Sequence, residues 1–158
     1  NLLKEQISIR DLQTILETAA DYAQTIQDPD VLTEHVRQAL ARPITKQYQA
    51  GDGSLSVVTL ERGVEDIIAG SIQKTETASF LSLEPKVAER IITRLQEAVE
   101  AVVPILETPP VLLASPIIRS YVRRLTERFI PELVVLSHNE ILPSIQIKTL
   151  KVVELNAN

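Results

Sequence analysis

Five polar residues in the last third of the chain have side chains suited to chemistry: Ser115, Arg119, Ser137, His138 and Glu140. A hydroxyl, an imidazole and a carboxylate can serve as nucleophile, base and orienting group. An arginine near a helix start can instead hold an anion, helped by the free backbone N–H groups at that end. One reading is therefore a small α/β enzyme or anion-binding domain built on Ser115, Arg119 and His138. The other reading makes the same residues fittings of the backbone. Ser115 caps a helix that opens with Pro116. Ser137, His138 and Asn139 form a turn after a buried strand, and Arg119 lies along the surface of its helix. No G-x-S-x-G elbow and no glycine-rich phosphate loop occurs, with only four glycines in the chain. No catalytic residue is assigned.

The composition narrows the chemistry further. There is no cysteine, and the two histidines, His35 and His138, are far apart. A zinc site of Cys ligands or of three His cannot be built, and neither a metal nor a cofactor is expected. His35 falls on an apolar helical stripe, where a packed histidine is the plain reading. A net charge of −5 with only 3% aromatic residues argues against nucleic acid as a partner. No run of eighteen apolar residues exists to span a membrane. The chain has no Met and begins at Asn1, and it reads as a piece of a longer protein.

The elements that must position these residues follow from periodicity and punctuation. Ser8-Ile-Arg-Asp11 resembles a capping box. Ile9, Leu12, Ile15, Leu16, Ala19, Ala23 and Ile26 then repeat at the helical period. Asp28-Pro29-Asp30 caps a second helix carrying Val31, Leu32, His35, Val36, Ala39 and Leu40, and Pro43 ends or bends it. The short link predicts that the two helices pack as a pair. Gly51-Asp-Gly53 marks the boundary between residues 1–50 and 51–158. Leu55 to Leu60 reads as a strand and Val64 to Ile72 as a short helix. Thr75 to Ser79 reads as loop, and a longer helix runs from Pro85 to Pro104. Val111–Ala114, the helix after Ser115 and Leu133–Leu136 form a βαβ unit with parallel strands. Arg119, Arg123, Arg124 and Arg128 occupy the solvated face of that helix. Ile145 to Leu155 reads as extended segments interrupted near Thr149. The expected fold is mixed α/β: an N-terminal helical pair, then a small, partly parallel sheet flanked by about three helices.

Four stretches carry a family resemblance: LLKEQISIRDLQTILETAADYA (2–23), DPDVLTEHVRQALARPITKQY (28–48), PVLLASPIIRSYVRRL (110–125) and PELVVLSHNEILP (131–143). In this order they resemble the end of the cytosolic region of the FlhA family of flagellar and type III secretion export-gate proteins. SIRDL and ADYA resemble the flagellar branch. Pro43 and Glu107-Thr108-Pro109 depart from the family pattern, which bears on local helix length and turn shape. The resemblance implies a parent protein integral to the bacterial inner membrane, with a cytosolic part of four subdomains that forms a nine-membered ring. It implies as partners neighbouring copies of the chain, export chaperone–substrate complexes and components of the ATPase complex. Residues 1–50 would belong to the ring-forming subdomain and 51–158 would be the last subdomain, on the cytoplasmic face of the membrane. Within the ring-forming part, Arg10, Asp11, Glu34 and Arg37 are the candidate contacts between subunits.

Overall fold

The computed structural model describes residues 1–76 and 78–155. Six α-helices and six strands are present among them: α1 Leu12–Ala23, α2 Pro29–Ala39, α3 Ala41–Tyr48, β1 Leu55–Leu60, α4 Arg62–Gly70, β2 Ile72–Lys74, β3 Ser79–Leu81, α5 Pro85–Val102, β4 Val111–Ala114, α6 Arg119–Thr126, β5 Val134–Ser137 and β6 Ile147–Val153. Four strands form one sheet in the order β5-β4-β1-β6, and every pairing in it is parallel. The βαβ unit from β4 through α6 to β5 is present, and the fold class is mixed α/β as expected.

Alternation along the strands divides the core in two. Leu112, Ala114, Val58, Leu60 and Val135 point to one face, where α4, α5 and α6 contribute Val64, Ile68, Ile91, Leu95, Val99 and Val122. Leu55, Val57, Val111, Leu113 and Leu136 point to the other, which is closed by Val36 of α2, Leu40 just after it, Ile44 and Tyr48 of α3, and Ile7. The strands are apolar on both sides because helices cover both sides. The N-terminal helices are thus the second lid of the sheet, and the apolar cover they need comes from β1, β4 and β5.

Several local expectations are corrected. The first helix starts three residues later than the capping-box pattern suggests: Asp11 itself is the cap, accepting from the Thr14 N–H at 3.1 Å. Pro43 breaks the helical run, which then resumes at once. Its ring excludes the carbonyl of the residue four positions back, Ala39, and that is where α2 stops. The chain turns at Leu40 and α3 begins, with Pro43 in its first turn, where no intrahelical N–H is needed. Ile72 leaves the helix for β2, which pairs antiparallel with β3 in register Ile72↔Leu81, and Ser79 of the expected loop lies in β3 opposite Lys74, while residue 77 lies outside the described residues. The C-terminal extended segment is one strand, and the interruption is a bulge: Val57 pairs with Thr149 but Val58 pairs with Lys151. The helix after Ser115 starts at Arg119, after a turn closed by Ile118 N–H to Ser115 O at 3.1 Å. Ser115 gives it no side-chain cap, and Phe129 is 56% exposed while Ile130 is buried in its place.

Candidate assembly face and its ionic anchor

The residues proposed for chemistry do not form a reacting set. Ser115 is half-buried and its backbone N–H donates to the Glu65 carboxylate at 2.9 Å. His138 is exposed at the start of a single 3₁₀ turn, His138–Glu140. Ser137 and Glu140 are buried. Among the described residues no hydrogen bond joins a serine hydroxyl to either imidazole. Arg119, expected on a solvated helix face, is 1% exposed, and all three of its nitrogens bond within the chain. Nothing supports the enzyme or anion-binding alternative.

What the structure builds instead is a buried ionic cluster at the edge of the sheet. It gathers Glu5 from an N-terminal 3₁₀ turn (Leu3–Glu5), Glu34 and Arg37 from α2, Arg119 from the first turn of α6, and Glu140. Arg37 donates from Nε to both Glu140 oxygens at 2.9 and 3.1 Å. Both guanidiniums also donate to the Val135 carbonyl, Arg119 at 3.0 Å and Arg37 at 3.3 Å. Two residues back on the same strand path, Leu133 O accepts from Arg123 at 2.9 Å. β5 has a single strand neighbour, and these arginines occupy carbonyls that its ladder leaves open, blocking them against a foreign strand.

The electrostatics of the cluster are uneven. Burial works to raise the Glu5 carboxyl, yet the hydrogen bonds and charge of Arg119, with the charge of Arg37, hold it below the ordinary carboxylate range. Burial likewise raises Glu140, and there Arg37 and Arg119 offset it only in part, so its carboxyl lies above the ordinary value. Burial opposes the charge of Arg119, but Glu34 and Glu5 outweigh it and keep the guanidinium charged. Charges this buried persist only because each is paired and hydrogen-bonded.

The four candidate contacts between subunits lie in two settings. Arg10 and Asp11 are exposed at the start of α1. Glu34 and Arg37 belong to the ionic cluster. The sequence reading missed Glu5 and Glu140 as partners. A signal was present for Arg37, which sits beside Val36 and three residues before Leu40 on the core side of α2, where a charge needs a counter-charge. The partners lie 32 and 103 positions away, and no local pattern names them.

Beside this cluster, α1 stands out as a helix none of whose twelve residues is buried. Leu12 and Leu16 are 55% and 65% exposed, one turn apart, with Ile9 exposed ahead of them. Ile15 and Ala19 make the inward contact with the core, and Tyr22 stacks on His35 of α2 with ring centroids 4.2 Å apart. Single exposed leucines are ordinary; here Ile9, Leu12 and Leu16 leave an apolar stripe along the outer face of α1.

A parallel α/β unit with this helix on its flank occurs as part of the cytosolic domains of type III secretion proteins. The nonameric EscV cytosolic domain from the type III secretion system superposes with a TM-score of 0.79 at 34% identity, over 99% of this chain and 46% of that one. The Chlamydia pneumoniae CdsV chain in its complex with CdsO superposes with a TM-score of 0.87 at 38% identity, over 97% of this chain and 45% of that one. The flagellar biosynthesis protein FlhA of Bacillus subtilis (strain 168) is 44% identical over 154 residues, 98% of this chain. The FHIPEP family model matches residues 1–146, and the chain belongs to that family. It spans about a quarter, 23%, of the length of the B. subtilis protein. Among the described residues no helix is long and apolar enough to cross a membrane.

Proposed function

We propose that this chain is a non-enzymatic assembly and docking segment of the cytosolic ring of a flagellar-type protein-export gate. The observation that carries the proposal is the exposed apolar stripe of Ile9, Leu12 and Leu16 on the outer face of α1, which the chain itself leaves uncovered. Ring formation needs a heterologous contact, in which one patch meets a different patch on the next copy. A flanking helix held rigidly on a folded core suits such a contact. Arg10 and Asp11 border the stripe as proposed polar contacts between copies. Glu34 and Arg37 serve the same contact by holding the helix layer that carries it. The nonameric state of the EscV domain and the CdsV complex with CdsO support assembly and docking as the roles of this unit. Export chaperone–substrate complexes and ATPase-complex components are the proposed partners, met at the cytoplasmic face of the inner membrane through the protein that carries the chain.

The test is Leu12→Asp with Leu16→Asp in the complete protein that carries this chain. Both positions are exposed, so stability should move by no more than about 1 kcal/mol in total. Sedimentation velocity should show assembly lost, with circular dichroism unchanged. Undiminished assembly in the double variant would remove α1 from the contact and with it the basis of the proposal.

A further inference from the structure

Helix α2 presents three stripes to three neighbours. Asp30, Glu34 and Arg37 follow one another at four and three residues and share a stripe. Each is ion-paired to the α/β unit: Asp30 to Arg124, Glu34 to Arg119 and Arg37 to Glu140. Val36 and Leu40 form the stripe buried against the sheet. His35 stacks on Tyr22 of α1, and α2 is the main neighbour of α1.

Two rungs of this ladder land on α6, at Arg119 and Arg124. Beside α6 runs an open cleft, walled by Tyr121 and Arg124, by Ile117, by Lys74 and Ser79 of the hairpin, and by Val31 of α2. Its rim is apolar where Ile117 is 69% exposed, and Phe80 of β3 is exposed nearby on the hairpin. A rotation or slide of α2 would break all three rungs together, because they lie along one rigid helix. α2 therefore cannot shift without either moving α6 or parting Arg119 from Glu34 and Arg37 from Glu140.

We infer that α2 is a transmission rod: packing of a neighbouring copy on α1 acts through α2 and its ion-pair ladder on α6, so that assembly and the shape of the cleft beside α6 are coupled. The inference rests on the proposed role of α1 as a contact between copies. Coupling of this kind travels through contiguous packed and ion-paired contacts, and the Tyr22–His35 stack, α2 and its ladder supply them.

Hydrogen exchange on the complete protein, below and above its assembly concentration, tests it. Amides of α6 and of residues 72–81 should exchange at least about threefold more slowly in the assembled state. Asp30→Arg reverses the exposed rung, whose side chains are 50% and 44% accessible, without opening the core. It should leave assembly intact and measurably reduce the slowing around Arg124, the rung it breaks. Asp30→Arg with Arg124→Asp restores the pair and should restore the slowing. Assembly without slower exchange at α6, or full slowing in Asp30→Arg, overturns the inference and leaves the contact role of α1 standing. A wild-type protein that does not assemble at any concentration takes both down together.

Discussion

Arg119 holds two carboxylates in two forks: Nε and Nη2 take Glu34 at 2.7 and 2.5 Å, and Nη1 and Nη2 take Glu5 at 2.7 and 3.1 Å. One planar guanidinium thereby ties the N-terminal turn and α2 to the start of α6. The same side chain reaches the open edge of the sheet at Val135 O. This geometry belongs to arginine, whose donors lie in a fixed plane, and a lysine ammonium cannot reproduce it.

Arg119→Ala should therefore be among the most damaging single changes in the chain. It leaves Glu5, Glu34 and Glu140 facing one another with only Arg37 to balance them. Breaking a buried pair from one side costs about 3–5 kcal/mol, and urea denaturation followed by far-UV circular dichroism should show a loss of that size. Arg119→Lys keeps the charge but not the forks, and should recover less than half of the loss. Full recovery by lysine would show that charge alone, without fork geometry, holds the cluster.

Thr45 makes a second, neutral tie between the helix layer and the turn after β5. Its hydroxyl, fully buried, donates to Glu140 O at 3.2 Å and accepts from Leu142 N at 3.1 Å. Thr45→Val keeps the shape and leaves the buried Glu140 carbonyl and the partly buried Leu142 N–H without this partner. The expected cost is about 1–3 kcal/mol, with the largest loss of hydrogen-exchange protection at the Leu142 amide. A neutral substitution would mean that the 3₁₀ turn at 138–140 relaxes to find other partners.

These ties show which parts of the molecule a sequence can disclose. The β4–α6–β5 unit was legible because Val111–Ala114 and Leu133–Leu136 are unbroken apolar runs around a helical stripe. Helix α2 was legible from Asp28-Pro29-Asp30, since a cap and a first-turn proline act within a few residues. Leu12 and Leu16 fall on a helix as the period predicts, yet periodicity does not tell a stripe that faces the core from one that stays exposed. Pro43 announces an end or a bend, but its effect falls on the residue four back, and nothing local shows that α3 resumes immediately after the break. The short β2–β3 hairpin lies in a polar stretch with little alternation to reveal it. Arg119 was assigned to a solvated face with Arg123 and Arg124 because composition does not show that Glu5, Glu34 and Glu140 arrive from elsewhere in the chain. An ion cluster assembled from four distant segments is a property of the tertiary fold, and only its charges are written locally.

The two carboxylates at opposite ends of that cluster should answer pH with opposite sign. The Glu5 carboxyl is held below its ordinary value of 4.5. Its contribution to stability is present above that value and is lost as pH falls through its lower value in the folded chain. The Glu140 carboxyl is raised above 4.5 by burial. Its contribution favours folding when the group is protonated, is full below 4.5, and is lost as pH rises through the higher value of the folded state. Urea midpoints measured between about pH 3 and 8 should resolve the two. For Glu5→Gln, the stability gap from the wild type should shrink as the solution is acidified below 4.5. For Glu140→Gln, the wild type should lose ground to the variant as pH rises above 4.5, because glutamine fills the same buried site without the cost of an ionised group. Gaps that stay constant with pH in both variants would show that neither carboxyl titrates differently in the folded chain, and that the cluster acts through packing alone.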